Sequence, residues 1–242
     1  MTPRRRGSPS QRRPSLRTER QLQRAGYPVL VGMDEVGRGA LAGPVSVGVV
    51  AIDAAARAAP PGVRDSKLLT SSARQEMVPK IKKWALSWGV GHASPEEIDR
   101  WGIMTGLRLA GERALAQCAV VPDLILLDGN HDWLTRPERI GLLAFTGPQT
   151  AHPSPVPEHA PVHTMVKADM RCSSVAAASV VAKVARDSMM VELHDRHPCY
   201  GWNLNKGYAA PEHRAALREH GTCDHHRRSW NLMQETQEVA PT

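Results

Sequence analysis

The sequence predicts an α/β fold, because short strand-like runs alternate with helical segments along its 242 residues. Two valine-rich runs, at residues 27–36 and 44–52, flank a glycine-rich turn, which is the pattern of a β-hairpin with a buried face. The aliphatic run Leu124–Leu127 then leads directly into Asp128-Gly129-Asn130, as a short buried strand that ends in a turn would. We therefore expect a β-sheet packed against helices.

The predicted helices follow from apolar spacing and from end signals. Large apolar residues recur at helical spacing over residues 71–88, although Pro79 should kink that helix or mark its true start. Ser94 is expected to cap a second helix, since two glutamates follow it and suit the positive end of the helix dipole. A third helix is expected over 103–119. A fourth, over 175–187, is apolar nearly all round, and its alanines would let it pack close to the sheet.

The composition is that of a soluble globular protein, with 41% hydrophobic and 23% charged residues. No apolar run approaches the roughly 18 residues of a membrane span, so we expect no membrane partner. The basic N-terminus is not followed by an apolar segment, which argues against a secretory signal and makes the cytoplasm the expected compartment. The four cysteines lie far apart, so reduced thiols are expected rather than a disulfide framework or a zinc ribbon.

The charge pattern divides the chain into three parts. Residues 1–26 carry eight arginines and one glutamate, a net charge of +7 that leaves the rest formally neutral. This mixture of Pro, Ser and Arg predicts a disordered basic tail, either merely solvated or attracted to nucleic-acid phosphate. Residues 27–230 are expected to form one folded domain, with a proline- and histidine-rich insertion within about 131–165 whose second half should be a surface excursion. A polar tail, 231–242, would follow.

Two adjacent carboxylates, Asp34 and Glu35, lie in an apolar strand-like run and are followed at once by Gly37-Arg38-Gly39. Burying a carboxylate costs several kcal/mol unless it is paired, hydrogen-bonded or bound to a cation, and glycines allow close approach of a backbone. A metal and a polyanion would explain both features. Because alternation sends neighbouring side chains to opposite faces, the strand must end or bend here for both acids to reach one site.

Two further acids are candidates for the same site. Asp128 follows four aliphatic residues at the predicted C-terminal edge of a strand, where α/β sheets bind ligands, although an ordinary turn aspartate is the alternative. Asp169 immediately precedes the fourth predicted helix. On that helix Lys183 could share a face with Ser179 and Arg186, and it is either held near the acids or extends to water.

Taken together, these motifs resemble those of ribonuclease HII, the bacterial type 2 ribonuclease H family. They run in the family's order from about residue 28 to 230 and are Asp34-Glu35-Val-Gly37-Arg38-Gly39 with Leu41-Ala-Gly43-Pro44, Asp65-Ser66-Lys67-Leu68, Asp128-Gly129-Asn130, Lys167-Ala-Asp169, Ala176-Ala-Ala-Ser179-Val-Val-Ala-Lys183-Val-Ala-Arg186-Asp187, Asn205-Lys206-Gly207-Tyr208 and His226-Arg227-Arg228-Ser229.

The resemblance implies a ribonuclease H-like catalytic domain over 27–230, with a mixed central β-sheet flanked by helices and a C-terminal helical region. It implies an endonuclease that acts on RNA-DNA hybrids and on DNA containing embedded ribonucleotides, giving a 3′-hydroxyl and a 5′-phosphate, and working as a monomer. Its catalytic metal ligands would be Asp34, Glu35, Asp128 and Asp169. Carboxylates without cysteine suit hard cations, so two Mg²⁺ or Mn²⁺ ions are expected.

The resemblance also implies a set of substrate-binding residues. Gly37, Arg38 and Gly39 would read the ribonucleotide 2′-hydroxyl, chiefly through the backbone. Tyr208 would stack on the adjacent sugar, with packing against the C-terminal helices as the alternative.

Ser66 and Lys67 would contact phosphate or form an exposed turn. The sequence departs from the family pattern in two places. Leu68 stands where relatives commonly have a second lysine. A spacing of 41 residues between Asp128 and Asp169 exceeds the family's usual value and locates the insertion.

Two competing interpretations remain at this point. The related type 3 ribonuclease H shares the acids, but Arg38 and the short N-terminal tail argue against it. A non-catalytic binder of RNA-DNA hybrids could retain the fold, but it would tolerate loss of the acids, all four of which are intact. Such a binder would hold its ligand equally well with and without Mg²⁺.

Overall fold

The structure, a computed structural model, describes residues 13–136 and 160–232. Within these ranges a five-stranded sheet has the order β3-β2-β1-β4-β5. Its strands are β1 (Leu30–Val36), β2 (Val45–Ile52), β3 (Ser87–Ala93), β4 (Leu124–Asp128) and β5 (Val162–Met165). The pairs β1–β2 and β2–β3 are antiparallel, as the predicted hairpin requires, whereas β1–β4 and β4–β5 are parallel. The predicted mixed sheet is therefore confirmed.

Helices cover both faces of the sheet. They are α1 (Arg17–Arg24), α2 (Ser71–Trp84), α3 (Pro95–Leu115), α4 (Ser173–Arg196), α5 (Trp202–Asn205) and α6 (Pro211–His220). One buried cluster joins α4 and α2 to one face of the sheet, and a second joins α3 to the other face. A third cluster lies among the end of α4, α5 and α6, and it forms the predicted C-terminal helical region.

Glycines in the strands let the two long helices approach the sheet closely. A Cβ atom at Gly48 would lie 2.4 Å from the carbonyl oxygen of Ala178 in α4. On the opposite face, a Cβ at Gly91 would lie 2.0 Å from the carbonyl oxygen of Ala110 in α3. Real Cβ atoms do not come that close to backbone, so these positions require glycine.

The structure corrects the bounds of the predicted helices. The helix predicted over 71–88 ends at Trp84, and Trp88 belongs to β3, because the backbone is already extended at Ala85 (φ −67°, ψ 144°). Pro79 does not mark the start of this helix, since α2 begins at Ser71. The second and third predicted helices are confirmed as the two segments of α3, which meet at Gly102, where φ of 79° and ψ of 161° are not helical, and the third ends at Leu115 and not at 119. The predicted cap is confirmed, since Ser94 and Glu97 form a reciprocal capping box.

The prediction of a disordered tail up to residue 26 is wrong for its second half. Arg17–Arg24 is a helix, and the side chain of Glu19 is fully buried. Its Oε1 accepts hydrogen bonds from the backbone N of Ser174 (2.9 Å) and from the Ser174 hydroxyl (3.0 Å). The N-cap residue of α4, Cys172, makes no side-chain cap, so Glu19 satisfies that helix end from elsewhere in the chain. Residues 1–12 and 233–242 lie outside the described part.

The predicted insertion is also shorter than 131–165. Trp133 and Leu134 are buried against α3, and Val162–Met165 is not a surface excursion but strand β5. That strand pairs with β4 in the register Ile125↔Val162 to Asp128↔Met165. Residues 137–159 lie outside the described ranges. No helix in the described ranges combines the length and apolarity that crossing a membrane requires.

Candidate active site

Four predicted acids lie where the sheet meets α4. Asp34 and Glu35 are near the end of β1, and Asp128 is the last residue of β4. Because β1 and β4 are neighbouring parallel strands, their carboxyl ends meet at one edge of the sheet. Asp169 lies in a short 3-10 turn, Ala168–Met170, that leads into α4. The backbone N of Ala168 donates to Oδ1 of Asp128 (2.6 Å), which ties that turn to the end of β4.

The backbone bend lies beyond the first two acids rather than between them. The pairing of β1 with β2 is regular through Val36↔Ser46, so the side chains of Asp34 and Glu35 leave the strand on opposite faces. The chain turns at Gly37, where φ is +83°. Glu35 is nevertheless close enough to Asp128 for that carboxylate to raise its pKa, after the larger effect of burial. The pairing of β1 with β4 ends at Met33, so β1 has an unpaired edge beyond that residue. Asp34 and Glu35 lie on either side of this edge.

Burial makes the carboxylates electrostatically unfavourable without a cation. Asp34 is 5% exposed and Asp169 is 4% exposed. Desolvation raises the pKa of Asp34 well above its ordinary value, and Glu35 and Asp128 raise it further, whereas the Ser179 hydroxyl lowers it. Desolvation, then Asp128, raise the pKa of Asp169 to about 6. Charge concentrated in this way favours a bound cation.

Lys67 supplies positive charge at this edge. Its Nζ lies 3.6 Å from Oδ2 of Asp169 and 3.6 Å from Oδ1 of Asp65. Burial alone would lower the pKa of Lys67, but Asp65, Asp34 and the other acids raise it overall. Asp65 itself is 7% exposed and accepts a hydrogen bond from the backbone N of Lys67 (2.9 Å). Lys67 thus lies beside the acids, on the 3-10 turn Ser66–Leu68, with its side chain 73% exposed.

Residues 37–44, here called the glycine loop, are hydrogen-bonded to two buried arginines on the side that faces the protein interior. Arg186 and Arg227 are both 0% exposed. Arg186 donates to the carbonyls of Pro44 (2.9 Å), Ala42 (3.1 Å) and Lys206 (2.9 Å). A Cβ at Gly37 would lie 2.1 Å from Nε of Arg186, which explains why that position is glycine.

The second arginine orients the start of the glycine loop. Arg227 donates to the carbonyls of Gly37 (2.6 Å), Arg38 (2.8 Å) and Gly43 (3.1 Å). Burial, and then the charge of Arg186, lower the pKa of Arg227 to about 9. These bonds hold the carbonyls of the loop on the inner side of the protein. The backbone N–H groups of Arg38 and Gly39 have no hydrogen-bond partner among the described residues. They form an exposed pair of donors.

Tyr208 lies directly against the glycine loop. Its hydroxyl accepts a hydrogen bond from the backbone N of Gly37 (3.2 Å). It is presented by residues 205–208, here called the tyrosine turn, in which Lys206 and Gly207 have φ of 51° and 83°. The Gly207 carbonyl accepts from the backbone N of Leu41 (2.8 Å), so the turn and the loop are bonded to each other. The structure therefore brings together the two elements predicted to recognise a ribonucleotide.

Comparison with known proteins agrees with this arrangement. The family model described as Ribonuclease HII matches residues 31–233. The chain belongs to the ribonuclease HII family. Ribonuclease HII of Streptomyces coelicolor is 44% identical over 218 residues, which cover 90% of this chain and 83% of that protein. Ribonuclease HII of Ruegeria sp. is 42% identical over 217 residues, which cover 90% and 84%. As a ribonuclease HII, the chain is a metal-dependent endoribonuclease, a hydrolase of phosphodiester bonds.

Solved structures confirm the predicted fold. Ribonuclease H2 from Pyrococcus horikoshii OT3 superimposes with a TM-score of 0.63 at 27% identity, covering 85% of this chain and 95% of that one. Ribonuclease HII from Archaeoglobus fulgidus, solved as a complex with PCNA, gives a TM-score of 0.62 at 27% identity, covering 86% and 98%. The family match also decides against the type 3 alternative.

The donor set of this ribonuclease HII fits a hard divalent cation. Carboxylate oxygens are the ligands that Mg²⁺ and Mn²⁺ prefer. The pKa values of Asp34 and Asp169 are raised first by burial and then by neighbouring carboxylates, and a bound cation would offset both effects. In the described part of the chain, no three His, Cys, Asp or Glu side chains already surround one point as ligands. Arg38, 49% exposed at its side chain, turns its guanidinium towards Glu35 (3.7 Å).

Ser66 and Lys183, for each of which the sequence left two placements open, are both held by other side chains. Ser66 is 4% exposed, and its hydroxyl is hydrogen-bonded to that of Ser179 in α4 (2.9 Å). Ser179 also bonds to Asp34, so Ser66 lies close to the acids. Lys183 does not extend freely into water, since its Nζ is 2.7 Å from Oδ1 of Asp187. Arg74 approaches the other oxygen of Asp187 at 3.6 Å, so two cations share this carboxylate.

Sequence reasoning missed several residues that build this ribonuclease HII site. Asp65, Asp187, Arg186 and Arg227 all stood within motifs quoted for the family, but none received a role. The sequence signal for Arg186 was a charge within a nearly apolar helix, and that for Arg227 was a charge next to a histidine. Apart from the Lys206 carbonyl, their partners are backbone carbonyls more than 140 positions away, for which a sequence carries no signal.

Proposed function

We propose that the chain nicks duplex DNA on the 5′ side of an embedded ribonucleotide and hydrolyses the RNA strand of RNA-DNA hybrids, leaving a 3′-hydroxyl and a 5′-phosphate. The observation that carries this proposal is the hydrogen bond from the Gly37 N to the Tyr208 hydroxyl (3.2 Å), formed two residues after Glu35. A hydroxyl-sensing pair is thereby joined to the acids. The 2′-hydroxyl is the group by which a protein distinguishes RNA from DNA at a given position.

Asp34, Glu35, Asp128 and Asp169 would hold two Mg²⁺ or Mn²⁺ ions. Bound divalent ions of this kind activate the attacking water and neutralise the charge that develops on the leaving oxygen. The unbalanced charge of the buried acids supports this assignment. Lys67, now paired with Asp169, would be free to turn towards a phosphate once cations balance the acids.

The free N–H groups of Arg38 and Gly39 would donate to the sugar hydroxyl, and the ring of Tyr208 would provide the stacking surface. Gly39 suits this role because it is exposed and a Cβ there would meet nothing within 4 Å, so a substrate can approach this backbone. Lys183 and Ser66 would line the path of the backbone phosphates. All of these residues come from one chain, which supports a monomeric enzyme.

The test is a nicking assay on three matched duplexes: one with a single ribonucleotide, one RNA-DNA hybrid and one all-DNA control. With Mg²⁺ or Mn²⁺ we expect a single cut 5′ of the ribonucleotide, cleavage of the hybrid and none of DNA. No cleavage in either metal, or equal cleavage of DNA, would contradict the proposal. Metal-independent binding without cleavage would instead identify a non-catalytic binder.

Asp34→Asn and Asp169→Asn each test a proposed metal ligand. Both should reduce turnover at least about a thousandfold while sparing duplex binding, because neutral amides hold divalent cations poorly. Asp224→Asn is the matched control, since the Asp224 side chain is 95% exposed. Full activity in either variant would remove that residue from the metal site.

A further inference from the structure

The motif His226-Arg227 lies in a segment that is bonded to the glycine loop. The backbone N of Gly43 donates to the carbonyl of His225 (2.8 Å), and the backbone N of Arg227 donates to the carbonyl of Leu41 (2.9 Å). These two bonds enclose an antiparallel bridge between Ala42 and His226. The backbone of His226 therefore moves with the loop, whereas its side chain points into the C-terminal helical region.

The side chain of His226 begins a hydrogen-bonded chain whose proton positions follow from its backbone and indole donors. The backbone N of Cys223 donates to Nδ1 of His226 (3.0 Å), and the Cys223 Sγ lies 3.3 Å from the same nitrogen. Nδ1 is therefore an acceptor, and Nε2 carries the ring proton. That proton is directed at Nε2 of His213, 3.1 Å away. The ring is 1% exposed, so no solvent competes for these bonds.

The chain continues from His213 to the tyrosine turn. Nε2 of His213 also accepts from the indole Nε1 of Trp202 (3.1 Å), so it cannot carry a proton itself. The ring proton must then be on Nδ1, which lies 2.8 Å from the carbonyl oxygen of Tyr208. His213 and Trp202 are both 0% exposed. Burial lowers the pKa of both histidines, that of His226 to about 4, so both rings are neutral at pH 7, as these bonds require.

We propose that His213 and His226 are positioning residues, forming a bridge that sets the distance between the glycine loop and Tyr208. This inference rests on the proposed function. The bond between the Gly37 N and the Tyr208 hydroxyl would be exchanged when a ribonucleotide takes that hydroxyl. The backbone of Tyr208 must then be held by other groups, and the bridge supplies a bond to its carbonyl that substrate does not displace.

The proton positions can be measured without any activity. In protein labelled with ¹⁵N-histidine, long-range ¹H–¹⁵N spectra at pH 7 should report His213 protonated only at Nδ1 and His226 only at Nε2. A charged His213, or one protonated at Nε2, overturns the bridge. Because this measurement needs no substrate, it remains decisive even if the nicking proposal fails.

Two substitutions at His213 separate its two bonds. Asn carries an amide nitrogen near the position of Nδ1 and can still donate to the Tyr208 carbonyl. Gln extends its amide towards the position of Nε2, which keeps Trp202 satisfied but leaves that carbonyl without the donor. His213→Asn loses the link to His226 and His213→Gln loses the link to Tyr208, so each breaks the bridge at one end and each should lose about tenfold in cleavage at a single ribonucleotide. Wild-type cleavage by either variant overturns the proposal.

A double-mutant cycle distinguishes positioning from general damage. In a Tyr208→Ala background, His213→Gln should cause no further loss, because its effect acts through the tyrosine. Additive losses would mean that the histidine acts elsewhere and would overturn the proposal. Tyr200→Phe is the control from the same buried cluster, since it keeps the ring that packs on His226 and removes only a hydroxyl bonded to the Gly221 carbonyl (3.2 Å) and the Cys223 side chain, and it should leave cleavage unchanged.

Discussion

Arg186 and Arg227 hold the glycine loop through carbonyls and not through carboxylates. Within the described residues neither guanidinium forms an ion pair, and their N–H groups make seven hydrogen bonds to backbone oxygens. A buried charge of this kind is tolerated only because its donors are satisfied. Lysine could not replace either residue, since its three donors radiate from one atom and cannot span carbonyls on separate segments.

Tyr208 offers the sharpest test of ribonucleotide recognition. Tyr208→Ala should reduce cleavage at a single ribonucleotide by about ten- to a hundredfold, because both the stacking surface and the hydroxyl next to Gly37 are lost. The cleavage rate of Tyr208→Phe, which keeps the ring, should lie between that of wild type and that of Tyr208→Ala. Single-turnover rates with metal in excess provide the measurement. An unchanged rate in the alanine variant would return Tyr208 to a packing role.

His226 should make the folded state sensitive to acid. Its pKa is about 4 in the folded protein, below the ordinary value of 6.5, so the unfolded chain binds the proton more tightly. Stability should therefore fall as pH decreases from 6.5 to about 4, by at most about 3 kcal/mol from this group. Urea unfolding at several pH values should show a weaker slope in His226→Asn than in wild type.

The control for that slope is the exposed His131, whose substitution by asparagine should leave the pH dependence as in wild type. Parallel slopes for wild type and His226→Asn would show that the ring has the same pKa in the folded and unfolded protein, which contradicts the prediction.

At the residue scale, sequence predicts which acids matter better than how they are oriented. Asp34 and Glu35 were identifiable because charge inside an apolar run is costly. The position of the bend was not, because β2 keeps pairing with β1 through Val36 and delays the turn to Gly37. Asp65 was missed because only Lys67 is near it in sequence, whereas its proximity to Asp169 arises in the folded chain.

At the element scale, close packing of α4 on the sheet depends on Gly48. Gly48→Ala should lower the free energy of unfolding by about 1–3 kcal/mol, although alanine is normally the better strand residue, because the new Cβ would lie 2.4 Å from the Ala178 carbonyl oxygen. Chemical denaturation measures the loss. Gly39→Ala is the matched control, since a Cβ there meets nothing within 4 Å. Equal stability of both variants would mean that α4 can shift without cost.

Glycines in the strands also explain why some elements are hard to predict from the sequence. The strands β1 and β2 and the helix α4 were predictable, because their apolar patterns are long. Strand β3 was not, since Gly89 and Gly91 replace the large residues that would mark its buried face, where α3 packs. Helix α1 was hidden in an arginine-rich segment, and only the long-range bond of Glu19 to Ser174 explains its order.

At the scale of the whole molecule, the basic N-terminus now divides in two. Removal of residues 1–26 would delete α1 and the cap that Glu19 provides to α4, so it cannot report on nucleic acid alone. Removal of residues 1–12, which carry four arginines, leaves α1 in place. If those arginines contact phosphate, the slope of log K against log salt should become shallower by up to about 3–4.

That slope is measured by titrating a fluorescent duplex at several salt concentrations. Cleavage at low salt should change little, because the truncation touches none of the proposed site residues. An identical slope for the truncated and full-length chains would mean that the segment only adds charge in solution.

The acids and the ribonucleotide-reading elements belong to different layers of the molecule. Asp34 and Asp128 are built into the central sheet, whereas Tyr208 depends on the C-terminal cluster around Trp202. Partial opening of a protein starts in its least tightly packed unit. Amide protons of the tyrosine turn should therefore exchange with solvent before those of β1. A molecule caught in that open state would keep the proposed metal ligands but lose the proposed contacts to the 2′-hydroxyl, so we expect discrimination between RNA and DNA to be lost before hydrolysis.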